Sequence, residues 1–145
     1  MTTLTPPRLA HVHAADAMHP GVLTCTRETP LSQVARIMAE HRVHCVVVDA
    51  PGATRTDTWA VISDRDLVAM AAVDDLDEPT AAIAAGTAVP RIAASESLMR
   101  AAQMMSQYEV SHLVVVGDQS GRPEGILSTL DIAAVLAARG PSGVA

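Results

Sequence analysis

Aromatic residues are nearly absent from this chain of 145 residues, in which Trp59 and Tyr108 are the only two and phenylalanine does not occur. Apolar residues nevertheless make up 49% of the sequence. A core must therefore be built from Val, Ile, Leu, Met and Ala, and such side chains suit short strands covered by close-packed helices. The length predicts one domain, or two small halves that share one core.

Clustered positive charge and long apolar runs are also missing. The formal net charge is −6, and no segment concentrates Lys or Arg as a nucleic-acid surface requires. No apolar stretch approaches the roughly 20 residues that span a bilayer. The first eight residues do not lead from a basic segment into an apolar one, as a secretory signal would. We therefore expect a cytoplasmic protein that binds neither nucleic acid nor membrane.

Cysteine is scarce, since Cys25 and Cys45 are the only two and they do not form a C-x-x-C pair. Cytosolic disulfides are rare, so the simpler interpretation is two reduced thiols in strands. If those strands are neighbours, the same residues could form a redox pair. A cysteine-based redox sensor therefore stays open as one hypothesis.

An internal repeat is the strongest feature of the sequence. Sliding the chain along itself by 67 positions, and by 65 after a shortened loop, preserves both the apolar register and a polar pair. The matched positions include Leu31 with Leu98, Met38 with Met105, Ser63 with Ser128 and Asp66 with Asp131. Chance rarely preserves both kinds of position, so the sequence predicts a duplicated unit.

Each copy predicts the element order β-α-β-β-α, which makes the fold class α/β (α+β). The first helix of each copy carries apolar residues at the spacing of a face packed on a sheet. The next strand is too apolar to alternate, so we expect it to be buried on both faces. A polar hairpin loop and a third strand follow, and this strand leads directly into a second helix. The helical stripes are Leu31, Val34, Ile37, Met38 and His41 in the first copy, and Leu98, Ala101, Ala102, Met105 and Tyr108 in the second.

Composition divides the chain into five segments, with an acidic and then Ala-rich connection between the copies. The expected segments are 1–8 (flexible N-terminus), 9–73 (first repeat), 74–86 (connection), 87–139 (second repeat) and 140–145 (flexible C-terminus).

A Ser-x-x-Asp pair stands in each copy where the third strand turns into the second helix, as Ser63 with Asp66 and Ser128 with Asp131. Free backbone N–H groups and the helix dipole make such a junction an anion site. The Ser could donate to a phosphate or cap the helix. The Asp could accept hydrogen bonds from a ribose diol or complete the cap. Both interpretations are open from the residues alone.

Three stretches resemble the CBS domain family. Gly-Ile-Leu-Ser-Thr-Leu-Asp-Ile, at positions 125–132, resembles the signature that closes a CBS domain. Val-Ser-His-Leu-Val-Val-Val, at 110–116, resembles the central strand of that family, and Asp16-Ala17-Met18 resembles its lead-in. The resemblance covers about residues 13 to 138 and is that of a stand-alone CBS pair, or Bateman module.

The resemblance implies two copies packed by pseudo-twofold symmetry, with adenosyl ligands such as AMP, ADP, ATP or S-adenosylmethionine in the clefts. It assigns phosphate to Ser63 and Ser128, and ribose to Asp66 and Asp131. Residues before the central strands would lie near phosphate, and Arg65 is either a phosphate contact or a solvated helix residue. The remaining implied pocket residues are His44, Cys45, Ser111, His112 and Thr87, with His13 a weaker match.

The chain departs from the family pattern in both copies. The first copy has Ala60 where glycine is usual, and the second copy has no Arg in its Ser-Thr-Leu-Asp and no Asp-x-Met lead-in. Because no Lys or Arg adjoins the central strands, a triphosphate would be weakly neutralised. This favours AMP-like or less charged ligands.

We therefore predict a non-catalytic regulatory sensor with no required cofactor. The spacing of His11, His13 and His19 fits no firm metal pattern, and a repeated Ser and Asp suit two binding sites better than one active centre. Apolar helix faces at 132–138 and 67–73 predict a homodimer, as in the resembled family. The sensor could also act on an unidentified protein partner. The alternatives are a ligand-free dimerising scaffold and the redox sensor.

Overall fold

The computed structural model describes residues 8–49, 58–84 and 87–138. The predicted flexible ends, apart from Arg8, and most of the first hairpin loop lie outside these ranges. The helices are α1 (Ala14–Ala17), α2 (Leu31–His41), α3 (Asp64–Ala71), α4 (Ala81–Ala84), α5 (Leu98–Tyr108) and α6 (Thr129–Ala137), with a 3-10 turn at Arg8–His11. The strands are β1 (His19–Pro20), β2 (Thr24–Thr26), β3 (Cys45–Asp49), β4 (Thr58–Ser63), β5 (Thr87–Ala93), β6 (His112–Val116) and β7 (Pro123–Ser128).

The chain forms two compact units. We call Val22–Val89 the first-copy unit, and Met1–Gly21 together with Pro90–Ala145 the second-copy unit. These units divide the chain differently from the repeat boundaries expected from the sequence, because the segment ahead of the first copy packs with the second copy.

The segment that precedes each copy, which we call its lead-in, is held by backbone hydrogen bonds. In the second-copy unit, the N–H of Leu98 donates to the carbonyl of Val12 at 2.8 Å. In the first-copy unit, the N–H of Leu31 donates to the carbonyl of Pro79 at 2.9 Å. The two donors and the two acceptors are each 67 positions apart, so the duplication includes the lead-ins. Each lead-in packs on the start of the first helix of the other copy.

The first-copy unit contains the strand order β4-β3-β2, covered by helices. Strand β3 lies in the middle, parallel to β2 and antiparallel to β4. Its residues Val46, Val47 and Val48 are all buried, which confirms the expected burial on both faces. Helix α2 covers the sheet with Leu31 and Val34, which are fully buried.

The second-copy unit contains the strand order β1-β7-β6-β5. Strand β6 is parallel to β5 and antiparallel to β7, while β1 pairs antiparallel with the outer edge of β7. The core contains residues from both the sheet and the two long helices. Its fully buried members include Leu98, Ala101, Leu113, Val115 and Leu127.

The buried face of α2 and that of α5 are each one residue shorter than the apolar stripe predicted from the sequence. His41 and Tyr108, the last stripe member in each copy, are exposed. Each helix ends at the following residue in the left-handed conformation, with φ of 53° at Arg42 and 54° at Glu109. This cap turns the chain toward the central strand, so the final helical residue is not held against the core.

Gly125 marks a close approach between β7 and the lead-in segment. A Cβ atom at this position would lie 2.7 Å from the carbonyl oxygen of His19 and would also collide with the sulfur of Met18. The glycine of the closing motif therefore lets β1 pair tightly with β7.

Candidate ligand-binding site

Each Ser-x-x-Asp pair forms a reciprocal cap at the start of a helix. In the first-copy unit, Ser63 Oγ accepts from the N–H of Asp66 at 3.1 Å, and Asp66 Oδ2 accepts from the N–H of Ser63 at 2.9 Å. The corresponding distances for Ser128 and Asp131 are 3.1 and 2.8 Å. The capping interpretation is thus correct in both copies. It leaves the hydroxyl hydrogen of each serine available for donation.

Strand pairing brings the predicted phosphate-side residues next to these caps. Cys45 lies opposite Ser63 across the β3–β4 ladder, and His112 lies opposite Ser128 across the β6–β7 ladder. The N–H of Asp64 also donates to the carbonyl of His44 at 2.9 Å. Thr129 and Ser111 make the equivalent bond at 3.0 Å. The residues predicted at the start of each central strand therefore lie beside the cap of the same unit.

The side chains of the two clusters differ. In the first-copy unit, His44 Nδ1 lies 3.1 Å from Asp64 Oδ2, and this hydrogen bond holds the pKa of Asp64 below its usual value. In the second-copy unit, Ser111 Oγ lies 3.0 Å from His112 Nδ1. Arg65 is exposed on the first turn of α3. The backbone of Thr87 begins β5, and its side chain lies outside the described part of the structure.

His19 is a site residue that the sequence did not reveal. Its Nδ1 lies 3.1 Å from Asp131 Oδ1, although 112 positions separate the two residues. The Asp131 side chain is only 9% exposed, whereas the His19 ring is 79% exposed. No local motif signals this contact, because it depends on the pairing of β1 with β7.

The other histidines of the lead-in make no comparable site. His13 lies 3.7 Å from Asp16, within the same short segment. Across residues 8–49, 58–84 and 87–138, no group of three or more His, Cys, Asp or Glu side chains is placed to hold a metal ion. The helices in these ranges are too short or too polar to cross a membrane.

The two cysteines do not pair, although their strands are neighbours. Cys25 on β2 is in register with Val48, three residues beyond Cys45 on β3. That offset corresponds to about 10 Å along a strand, which exceeds the Cα separation a disulfide allows. Burial raises the pKa of each thiol to about 11, and the charge of Asp64 adds to the effect at Cys45. The geometry therefore argues against the redox-pair hypothesis.

We expect both thiols to be alkylated slowly in the folded chain. A rise in pKa from 9.0 to about 11 lowers the thiolate fraction at pH 8 roughly a hundredfold, and the thiolate is the reacting species. Mass spectrometry over a time course with iodoacetamide measures this, with the same chain in urea as the reference. Equal rates in the folded and unfolded chains would contradict the burial argument.

Two β-α-β-β-α copies with matching capped junctions define the chain as a tandem-repeat α/β module. The CBS domain family model matches it twice, over residues 14–72 and 85–138, so the chain belongs to the CBS domain family. The predicted family and fold class are thereby confirmed. A search of curated proteins gives no significant match.

Solved structures of the family are similar over most of the chain. One is Hypoxic Response Protein I with two coordinated zinc ions, at 25% identity and a TM-score of 0.64, covering 85% of this chain and 98% of that one. A second is the CBS domain pair of protein MJ0100 with 5-methylthioadenosine and S-adenosyl-L-methionine, at 19% identity, TM-score 0.69, and 86% and 95% coverage. A third is the CBS domain of a bacterial CNNM/CorC family Mg2+ transporter with ATP, at 17% identity, TM-score 0.71, and 89% coverage of each chain.

Proposed function

We propose that this CBS pair is a sensor that binds an adenosyl ligand at the Ser63–Asp66 and Ser128–Asp131 caps, without catalysis of its own. The observation that carries the proposal is the repetition of one hydroxyl and one carboxylate at two equivalent helix starts. Two similar structures hold S-adenosylmethionine and ATP, which are adenosyl ligands. The likeness to those structures supports the ligand class.

The first-copy cap has the groups that a nucleoside phosphate needs. Ser63 Oγ accepts one bond from the backbone and retains its hydrogen for a phosphate oxygen. Asp66 uses Oδ2 in the cap, and Oδ1 makes no hydrogen bond within the described residues, so it is available to a ribose hydroxyl. The N-terminus of α3 adds backbone N–H groups and a favourable dipole.

Positive charge near the caps is limited and uneven. His44 and Arg65 lie beside the first-copy cap, whereas Ser111 and Leu130 stand at the equivalent places beside the second. A ligand with one phosphate, or with none, needs less neutralisation than a triphosphate. We therefore place AMP and S-adenosylmethionine ahead of ATP for this chain.

Ligand binding would regulate a partner through a difference in affinity between two conformations of the pair. A ligand shifts such an equilibrium only by its differential affinity for the two states. We infer that the regulated partner is a further protein.

A thermal-shift screen tests the sensor function. At about 100 times its dissociation constant, a bound ligand stabilises the chain by about 2.7 kcal/mol, which corresponds to roughly 5–10 °C at this length. AMP, ADP, ATP and S-adenosylmethionine form the panel, with guanosine monophosphate as the base-specificity control. An unmoved midpoint with all four adenosyl compounds would favour the ligand-free scaffold.

We also propose that the chain forms a homodimer through α6. Leu130 and Leu136 on this helix are 76% and 58% exposed, and the only charged residue of α6, Asp131, is buried. An open groove of about 310 Å³ lies beside the helix. Its lining residues are Ala102, Met105, Ser106, Val110, Thr129 and Ile132. An exposed apolar surface of this kind is typical of an interface.

Leu136→Glu should convert the dimer into a monomer, because it places a charge in the apolar face. Light scattering coupled to gel filtration measures the mass. Gln119→Glu adds the same charge in the β6–β7 turn, at the end of the strands away from α6, and should leave the dimer intact. A monomer mass for the unmodified chain would refute the proposed interface.

A further inference from the structure

The two capping aspartates are not equivalent. Asp131 Oδ2 accepts from the N–H of Ser128 at 2.8 Å. His19 Nδ1 lies 3.3 Å from the same Oδ2, to which it is hydrogen-bonded, and 3.1 Å from Oδ1. Asp66 is half-buried, and within the described residues only its Oδ2 is engaged by a hydrogen bond. A ribose diol can therefore approach Asp66 directly, while the Asp131 carboxylate already holds an imidazole.

The position of His19 is set by the backbone and not by its own side chain. His19 pairs with Ile126 in the β1–β7 ladder, and the next hydrogen bond joins the N–H of Gly21 to the carbonyl of Glu124 at 2.9 Å. The ring itself is largely exposed, so it can rotate away from Asp131 without opening the core. At the matching sequence position of the other lead-in, 67 residues later, stands Gly86, which has no side chain.

We propose that His19 is a built-in competitor for the Asp131 site. The inference rests on the proposed function: if adenosyl ligands bind through the capping aspartates, the first-copy site is open and the second-copy site requires displacement of His19. The two sites of this duplicated chain then fill in order, Asp66 first.

The competition depends on one contact. Asp131 of α6 is the acidic group that contacts His19, while Asp16 of α1 accepts from the N–H of His13, and Glu124 of β7 contributes its carbonyl to Gly21. A ligand hydroxyl that binds the Asp131 carboxylate must displace the ring, so ligand affinity at Asp131 should rise when the ring is removed.

Calorimetric titration of the Asp66→Ala chain measures ligand binding at the second-copy site alone, because this variant lacks the carboxylate of the first-copy site. AMP, ADP, ATP and S-adenosylmethionine are each titrated. Adding His19→Ala should strengthen binding by roughly 1.5-fold to fivefold, the range for the loss of an exposed pair. His11→Ala, a change at an exposed histidine of the same unit, is the matched control and should leave the Kd unchanged.

His19→Gln provides a second variant that keeps a neutral hydrogen-bonding side chain on β1. It should bind the ligand more weakly than the His19→Ala chain does, because its amide can still hydrogen-bond to Asp131. Weaker binding by His19→Ala than by the parent of the pair would make the ring a ligand contact and overturn the competition. If the parent binds a ligand and the Asp66→Ala chain binds none, with or without His19, the inference fails while the proposed function stands for the first copy. If no chain binds any of the four compounds, both fail.

Discussion

Leu98→Ala is expected to lower the free energy of unfolding by about 2–5 kcal/mol, the range for a fully buried leucine whose removal leaves a cavity. Leu98 has no exposed surface and belongs to the core cluster with Ile92, Leu113 and Leu127. It is also the first residue of α5, where the lead-in is hydrogen-bonded to its N–H. Its surroundings are thus held from two sides, which limits the collapse of the cavity.

Urea unfolding followed by circular dichroism measures the change, with the slope checked for two-state behaviour. Leu31→Ala is the equivalent change in the first-copy unit, where Leu31 is equally buried, and should have a similar cost. Ile83→Ala removes side-chain volume from a residue that is 66% exposed and should stay within about 0.5 kcal/mol of the parent. A loss at Leu98 no larger than that of Ile83 would contradict the packing described for this core.

Replacing both Asp66 and Asp131 with alanine should abolish the ligand-induced stabilisation of about 2.7 kcal/mol at a hundredfold excess over Kd. Each aspartate offers the carboxylate proposed to hold the ribose hydroxyls. Each replacement also removes part of a helix cap, which costs about 0.5–2 kcal/mol without ligand. The difference between midpoints with and without ligand is therefore the quantity to compare, and not the midpoint itself.

Asp64→Ala is the matched control for this experiment. It removes a carboxylate from the same first turn of α3, where Asp64 pairs with His44 and takes no part in the reciprocal cap. The ligand-induced shift should be retained, or should grow as a negative charge is lost near the phosphate. A shift that survives the double replacement would disprove the ribose role of the capping aspartates.

Much of the fold could be predicted from local patterns in the sequence. The offset that matches Leu31 with Leu98 predicted two equivalent helices, and both leucines are fully buried. Continuous β-branched runs predicted central strands buried on both faces, as Val46–Val48 are. The Ser-x-x-Asp pairs predicted a polar junction at the start of a helix, and both form it. Periodicity and capping are properties of near neighbours in the chain, so one sequence suffices to find them.

Tertiary structure alone decided how the lead-in segments are used. The sequence repeat placed Asp16 and Met18 ahead of the first copy, whereas the fold packs that segment on the second. The contact between His19 and Asp131 follows from this exchange. It joins residues 112 positions apart through strand pairing, which leaves no local pattern at either residue. The sequence by itself determined two equivalent capped junctions, and the long-range pairing of β1 with β7 made their aspartates different.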